Sequence, residues 1–322
     1  MKKTHSKKRL NPLVVIFFVI LLAYALSLIL MLFWGFITSL KHFQDFKTNK
    51  IGFPDFSAWK QFGALIEGYD NIFANYVLFV KSFELSGDRF KTSFYTMFSS
   101  EPVEHNPGNI GLLQVLINTL IFCAGGALLP TFMCCFMGYV CAKYKYKFST
   151  VIYSIVVFVM VMPIVGNAPA MLDFLRKIGF YDTYVGHAIR QCSFTSMYFL
   201  VFYAFFSGMS DSYMEAAQMD GASQLRVMLS IATPLAKSFI TTVSLVLFVA
   251  CWNDYETPIL YLPTKPNLAF GVHYMCTMGA GYFDRVPFRV ASLMTLAIPS
   301  LILYIALNDK LMGNISLGGI KE

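Results

Sequence analysis

Six runs of predominantly apolar residues constrain this chain more than anything else in it. They lie near residues 12–40, 112–142, 149–172, 190–210, 238–262 and 287–309. Each is read as having the roughly 20 apolar residues that a helix needs to cross the hydrocarbon core of a bilayer. The chain has 322 residues, 57% of them hydrophobic and 13% charged. A soluble domain carries about 25% charged residues. The expected class is therefore an all-α polytopic membrane protein of about six transmembrane helices, built as one compact membrane domain.

Charge orients it. Lys2, Lys3, Lys7, Lys8 and Arg9 precede the first apolar run. That run is too long for the apolar core of a signal peptide and lacks a small-residue cleavage site, so it is expected to stay as an uncleaved first span. Lys143, Lys145 and Lys147 fill the short loop 143–148, Arg226 and Lys237 fall in the loop 211–237, and Lys310 and Lys321 lie in the tail. Six spans place these basic segments on one side with the N-terminus. The long segment 42–110, whose charge balance is acidic, falls on the other. The positive-inside rule then puts both termini in the cytoplasm and segment 42–110 outside. The formal net charge of +7 is read as orientation, and no nucleic-acid partner is expected. The expected divisions are residues 1–41, the extracellular segment 42–110 and a core transmembrane domain over 111–322.

Segment 42–110 mixes charges with Phe53, Phe56, Trp59, Phe62, Phe73, Tyr76, Phe79 and Phe83. It is expected to pack, partly as helix, on the outer face. It serves there either as a cap on the fold or as part of a platform for an extracellular partner.

Nothing in the chain reads as catalytic or metal-binding. The seven cysteines match no zinc spacing and are expected as free thiols acting as small apolar residues. The histidines His5, His42, His105, His187 and His273 are scattered. No Gly-x-x-x-x-Gly-Lys-Ser/Thr is present, so the chain has no ATP site of that kind.

The polar stretch 211–237 is the most informative loop. Tyr213 to Asp220 has good helix formers, and Asp211 or Ser212 is placed to cap its first turn. Gly221 ends that helix with a sharp turn. A second helix is predicted over 222–233, with Leu225, Met228, Leu229 and Ala232 on one stripe, and Pro234 ends or kinks it. An ordinary amphipathic connector has the same composition. What distinguishes this one is the spacing of Glu215-Ala216-Ala217, Asp220-Gly221-Ala222 and Ile231-x-x-Pro234, which resembles the EAA loop of binding-protein-dependent importer permeases.

Further segments resemble the same family in order along the chain, from about residue 112 to the end. They are Asn118-Thr119-Leu120, Met162-Pro163, the stretch Gly179 to Tyr184, Trp252-Asn253-Asp254 and the ending Gly318-Gly319-Ile320-Lys321. The likeness is to permeases of carbohydrate ABC importers, in particular the second permease subunit of the maltose system. Thr233 and Ser238 depart from the family pattern, and segment 42–110 is longer than the family's first outer loop.

The resemblance implies a type I importer permease fold and a set of partners. These are two copies of an ATPase subunit carrying ATP and Mg, a second permease expected as a different chain, an extracellular solute-binding protein and a sugar. It assigns ATPase coupling to Glu215, Ala216, Ala217, Asp220, Gly221, Ile231 and Pro234. Asn118, Trp252, Asn253 and Asp254 are candidates for the substrate pathway, because a carboxylate within an apolar span normally faces a cavity or a partner. Gly271, Tyr274, Gly279 and Tyr282, in a loop over 262–286, are candidates for contact with the binding protein, the glycines by permitting tight turns. The alternatives are a permease for another polar solute, an intramembrane enzyme and a membrane sensor. Asp254 stands nearly alone in its span, which disfavours an enzyme.

Overall fold

The computed structural model describes residues 12–55, 57–58, 73–85, 92–94, 103–105, 109–144, 146–162, 166–278 and 284–315. They fall in two compact units, one over residues 1–82 and 278–295, the other over 83–277 and 296–322.

The first unit begins with α1 (Pro12–Ser39), a helix apolar on every face and almost wholly unburied until Gly35. An unbroken apolar surface of that length has lipid as its natural solvent. The chain after it is stitched by polar contacts. Asn75, in α3 (Ala74–Ser82), donates its amide to the carbonyls of Ser39 and Lys41, and Lys41 donates to the Asn49 carbonyl at 2.6 Å. His42 caps the short helix α2 (Phe43–Thr48) by accepting from the Gln44 N–H. Of the aromatic positions expected to pack here, Tyr76 is half-buried, while Phe53 and Phe73 are exposed. Phe56, Trp59 and Phe62 lie outside the described residues.

The second unit is organised on α4 (Leu112–Lys143), which packs most extensively against α8 (Met197–Gly208) and α12 (Lys237–Trp252). Small residues set those distances. A Cβ on Gly126 would come within 2.5 Å of the Cys251 Sγ, and one on Gly138 within 2.9 Å of Phe202 Cβ. In a bilayer, where burial from water drives nothing between helices, close approach of this kind is what holds a bundle together. Tyr139, Phe199, Phe202, Phe206, Val227 and Ala236 fill the resulting core. Phe79 and Phe83 are also buried, the first in its own unit and the second here.

Two short antiparallel pairs accompany the helices, β1 (Glu84–Leu85) with β4 (Ile110–Gly111) and β2 (Thr92–Phe94) with β3 (Val103–His105). The all-α class holds.

The span lengths require correction. Among the described residues three helices are long and apolar enough to cross a membrane unaided: α1, α4 and α15 (Val286–Ile315). A fourth arises if the bent pair Gln224–Leu235 and Lys237–Trp252 counts as one. The expected span 149–172 is α5 (Lys147–Val161), which stops before the Met162-Pro163 break, followed by a separate helix α6 (Asn167–Lys177). The span 190–210 shrinks to the 12 residues of α8, or about 18 Å at 1.5 Å per residue. The span 238–262 ends at Trp252, and α13 (Glu256–Tyr261) follows a turn.

Candidate functional site

The loop 211–237 folds as a helix, a tight turn and a second, irregular helix. The first helix, α9 (Ser212–Met219), ends at Asp220. Gly221 follows at φ +80°, a backbone region an L side chain enters at about 1–2 kcal/mol. The Gly221 N–H bonds the Gln218 carbonyl and the Ala222 N–H bonds the Ala217 carbonyl, both at 3.0 Å. This is the Schellman arrangement, in which a glycine just past the helix end satisfies its last carbonyls.

The start of α9 differs from expectation. Asp211 stands at the N-cap yet makes no capping bond with its side chain. Its carboxylate accepts from the Lys143 ammonium at 2.7 Å, and Lys143 also donates to the Met209 carbonyl at 2.5 Å. The Ser212 N–H turns instead to the Ser210 hydroxyl. The second helix is α10 (Gln224–Val227), capped by Ser223, whose hydroxyl accepts from the Arg226 N–H. It continues as a single π-turn over Met228–Ala232 and as α11 (Thr233–Leu235). Pro234 explains the irregularity. It has no N–H to donate and its ring crowds the carbonyl four residues back, so a wider turn relieves the clash. The hydroxyl and N–H of Thr233 both reach the Met228 carbonyl. Past Ala236 the chain bends by 72° into α12.

The element is moored on one face and bare on the other. Met214 is buried and its sulfur accepts from the Tyr139 hydroxyl of α4 at 3.3 Å; Val227 and Ala232 are buried in the same core. Outward stand Glu215 and Ala216, both exposed, with Tyr213, Met219 at 88% exposure, Leu225 at 62% and Leu229. The expected stripe of Leu225, Met228, Leu229 and Ala232 therefore splits: Ala232 faces the core, while Leu225 and Leu229 face out. Ala217 and Ile231 are half-buried, and Asp220 and Pro234 are exposed. A moored element with outward apolar side chains and the exposed carboxylates of Glu215 and Asp220 is fit to be gripped by a partner protein.

The residues proposed for the pathway are held in hydrogen bonds. Asn118 donates to the Pro266 carbonyl and accepts from the Tyr184 hydroxyl at 2.8 Å. Trp252 donates its indole N–H to the Leu296 carbonyl at 3.0 Å. The Asp254 carboxylate accepts from the Thr257 N–H at the start of α13. Asn253 is exposed and bonds the Val249 carbonyl of its own helix.

Segment 262–278 is no surface hairpin. Gly271 lies inside α14 (Leu268–Met278), buried, where a Cβ would meet the Phe83 ring at 2.7 Å. Its lack of a side chain permits packing here and makes no turn. Tyr274 is half-buried on the same helix. Gly279 and Tyr282 lie outside the described residues.

Asp182 was not singled out by sequence reasoning, although it sits in the stretch Gly179 to Tyr184. It is fully buried at φ +56°, in the left-handed region that Asn and Asp tolerate best. Its carboxylate accepts from the N–H and hydroxyl of Thr264, and Lys265 pairs with it and bonds its backbone carbonyl. Thr183 then caps α7 (Tyr184–Gln191) through the Gly186 N–H at 3.0 Å, and Tyr184 ties to Asn118. The stretch is a structural joint between α6, α7 and segment 262–268.

Residues 135–272 match the family model described as the inner membrane component of binding-protein-dependent transport systems. The match includes the whole of the loop 211–237. The chain is 24% identical to the melibiose/raffinose/stachyose import permease protein of Bacillus subtilis, over 76% of this chain and 90% of that one. It is 25% identical to the sn-glycerol-3-phosphate transport system permease protein of Escherichia coli, over 50% of this chain and 58% of that one. Its fold superposes with a TM-score of 0.65, at 18% identity, on a chain of a bacterial ABC transporter involved in the import of the acidic polysaccharide alginate, covering 95% of this chain and 99% of that one.

Proposed function

We infer, from the premise that this chain is an inner-membrane permease component of a binding-protein-dependent ABC importer, that it couples a partner ATPase to the passage of a sugar or oligosaccharide. It has one half of the translocation pathway, and a second permease supplies the other. Two ATPase subunits, holding ATP and Mg, act from the cytoplasmic side. A solute-binding protein delivers the sugar from outside. Both termini and the loop 211–237 face the cytoplasm.

The observation that carries this reading is the two-faced loop. Closure of the ATPase on ATP moves whatever it grips. Here the gripped face carries Glu215, Ala216, Met219 and Leu225, and the mooring carries Met214, Asp211, Val227 and Ala232. The mooring leads into α4, α8 and α12, so a displacement of α9 is passed on as movement of packed helices. A partner basic residue meets Glu215. Asn253, exposed at the end of α12, is the pathway candidate with most freedom to meet solute. Tyr274 is kept as a candidate for contact with the binding protein.

A sugar substrate is favoured by the relative that imports melibiose, raffinose and stachyose. Another polar solute is the second reading, favoured by the comparable likeness to a glycerol-phosphate permease. The test is purification of the tagged chain from its native membrane with partners identified by mass spectrometry. An ATPase, a second permease and a binding protein are expected, and the binding protein then reports its ligand by binding screens. Recovery of the chain alone would refute the assignment.

A further inference from the structure

The mouth of the bundle beside α9 holds a cavity that the coupling reading does not use. It measures about 550 Å³ and lies between the end of α4, the start of α5, the end of α8 and the start of α9. Its charge is simple. Lys143 and Asp211 line it but neutralise each other at 2.7 Å. Lys147 lines it too, is exposed, and has no partner among the described residues. Tyr146, Thr150, Tyr203 and Ser207 also line the cavity, and their hydroxyls make no hydrogen bond with another described residue. Among the described residues the site therefore offers one uncompensated cation and several hydroxyl donors, with no carboxylate besides that of Asp211.

A shallow, open apolar groove of about 330 Å³ on the surface of α5 alone shares Thr150 with it and runs past Val151, Ser154, Ile155 and Phe158. Val151 and Ile155 are each 51% exposed and Phe158 64%. From Lys147 to Phe158 the helix rises about 16 Å. A charged, donor-rich chamber at a helix start that continues into an apolar groove along the same helix has the shape of an amphiphile.

We propose that this cavity and the open groove beside it bind an anionic phospholipid, the headgroup phosphate against Lys147 and the hydroxyls, one acyl chain along Val151, Ile155 and Phe158. Free phosphate would satisfy the chamber and leave the groove empty. A zwitterionic lipid would bring an ammonium for which no free carboxylate waits. The bound headgroup lies against the Lys143–Asp211 pair that moors α9, so lipid binding firms the coupling helix. This last step rests on the coupling role of α9; binding itself does not.

The test uses the assembled transporter in nanodiscs of phosphatidylcholine with or without phosphatidylglycerol. Retained lipid is read by native mass spectrometry, and ATP-driven uptake is read separately in vesicles of the same lipids. Phosphatidylglycerol is expected to be retained over phosphatidylcholine. Lys147→Gln is expected to reduce that preference about fivefold, the scale of one basic residue at an anionic lipid surface, and Thr150→Trp, which fills the junction, to abolish it. Equal retention of both lipids, or retention unaffected by either variant, overturns the site. Displacement of the lipid by millimolar inorganic phosphate assigns the chamber to a free anion and overturns the lipid. Because retention is read without turnover, a preparation that lacks an ATPase refutes the coupling reading and leaves the retention result standing.

Discussion

Lys143, at the last turn of α4, holds Asp211, at the first turn of α9, at 2.7 Å across 68 residues of sequence. The lysine side chain is only 7% exposed and the carboxylate 65%. The pair ties the end of α4 to the start of α9, the helix proposed to couple to the ATPase. Lys143→Met removes donors from both Asp211 and the Met209 carbonyl. A partly exposed pair of this kind stabilises by about 1 kcal/mol, so the chain should still insert and assemble. The expected defect is in coupling: ATP hydrolysis persists while uptake per ATP falls. Normal uptake stoichiometry in vesicles would count against the mooring.

Gly221 at φ +80° has nothing within 4 Å of where a Cβ would stand. Substitution therefore costs backbone strain and no clash. Gly221→Asn should be mild and Gly221→Val severe, with a difference of about 1–2 kcal/mol. Thermal midpoints of the purified complex, compared across the two variants, check the ordering. Equal effects would mean that the turn does not depend on the left-handed conformation.

Much of this loop was legible in the sequence. The turn at Gly221 is local chemistry, and so is the irregularity at Pro234. The capping of α9 was not legible, because Lys143 competes for Asp211 from another helix and sequence-local reasoning sees only the nearer N–H groups. The long helices α1, α4 and α15 were evident from unbroken apolar runs. The shorter α5 and α8 were over-extended, since apolar composition continues across breaks that end the helix, as at Met162. The expected surface loop failed over 262–278 for a related reason. Its burial depends on Asp182, 82 residues from Thr264, and on Asn118, 148 residues from Pro266.

Asp182 supplies the next prediction. Asp182→Asn keeps the backbone conformation and an acceptor for the Thr264 N–H, and should be tolerated. Asp182→Ala strands buried donors at about 1–3 kcal/mol and loses the residue type suited to φ +56°. The melting midpoint in detergent should fall much further for Ala than for Asn. The opposite order would contradict its role as the joint of α6, α7 and segment 262–268.

Gly126 and Cys251 form a pair suited to a double-mutant cycle. Gly126→Ala would place its Cβ 2.5 Å from the Cys251 Sγ, an overpacking that costs about 1–3 kcal/mol. Cys251→Ala should relieve most of it. Additive effects on the melting midpoint would show that the two positions do not share this contact.

Glu215→Lys reverses the exposed charge on the outward face of α9. Insertion and the melting midpoint should be unchanged, while affinity for the ATPase falls by about tenfold. Co-purification of the ATPase at wild-type yield, together with normal uptake, would remove Glu215 from the contact.

The most direct measurement places a photo-reactive amino acid at position 216, on the exposed face of α9, in cells carrying the complete transporter. Coupling through this helix predicts a covalent product with the ATPase subunit, formed in high yield and changed by ATP binding. Absence of that product, with the substituted transporter still assembled and active, would contradict it.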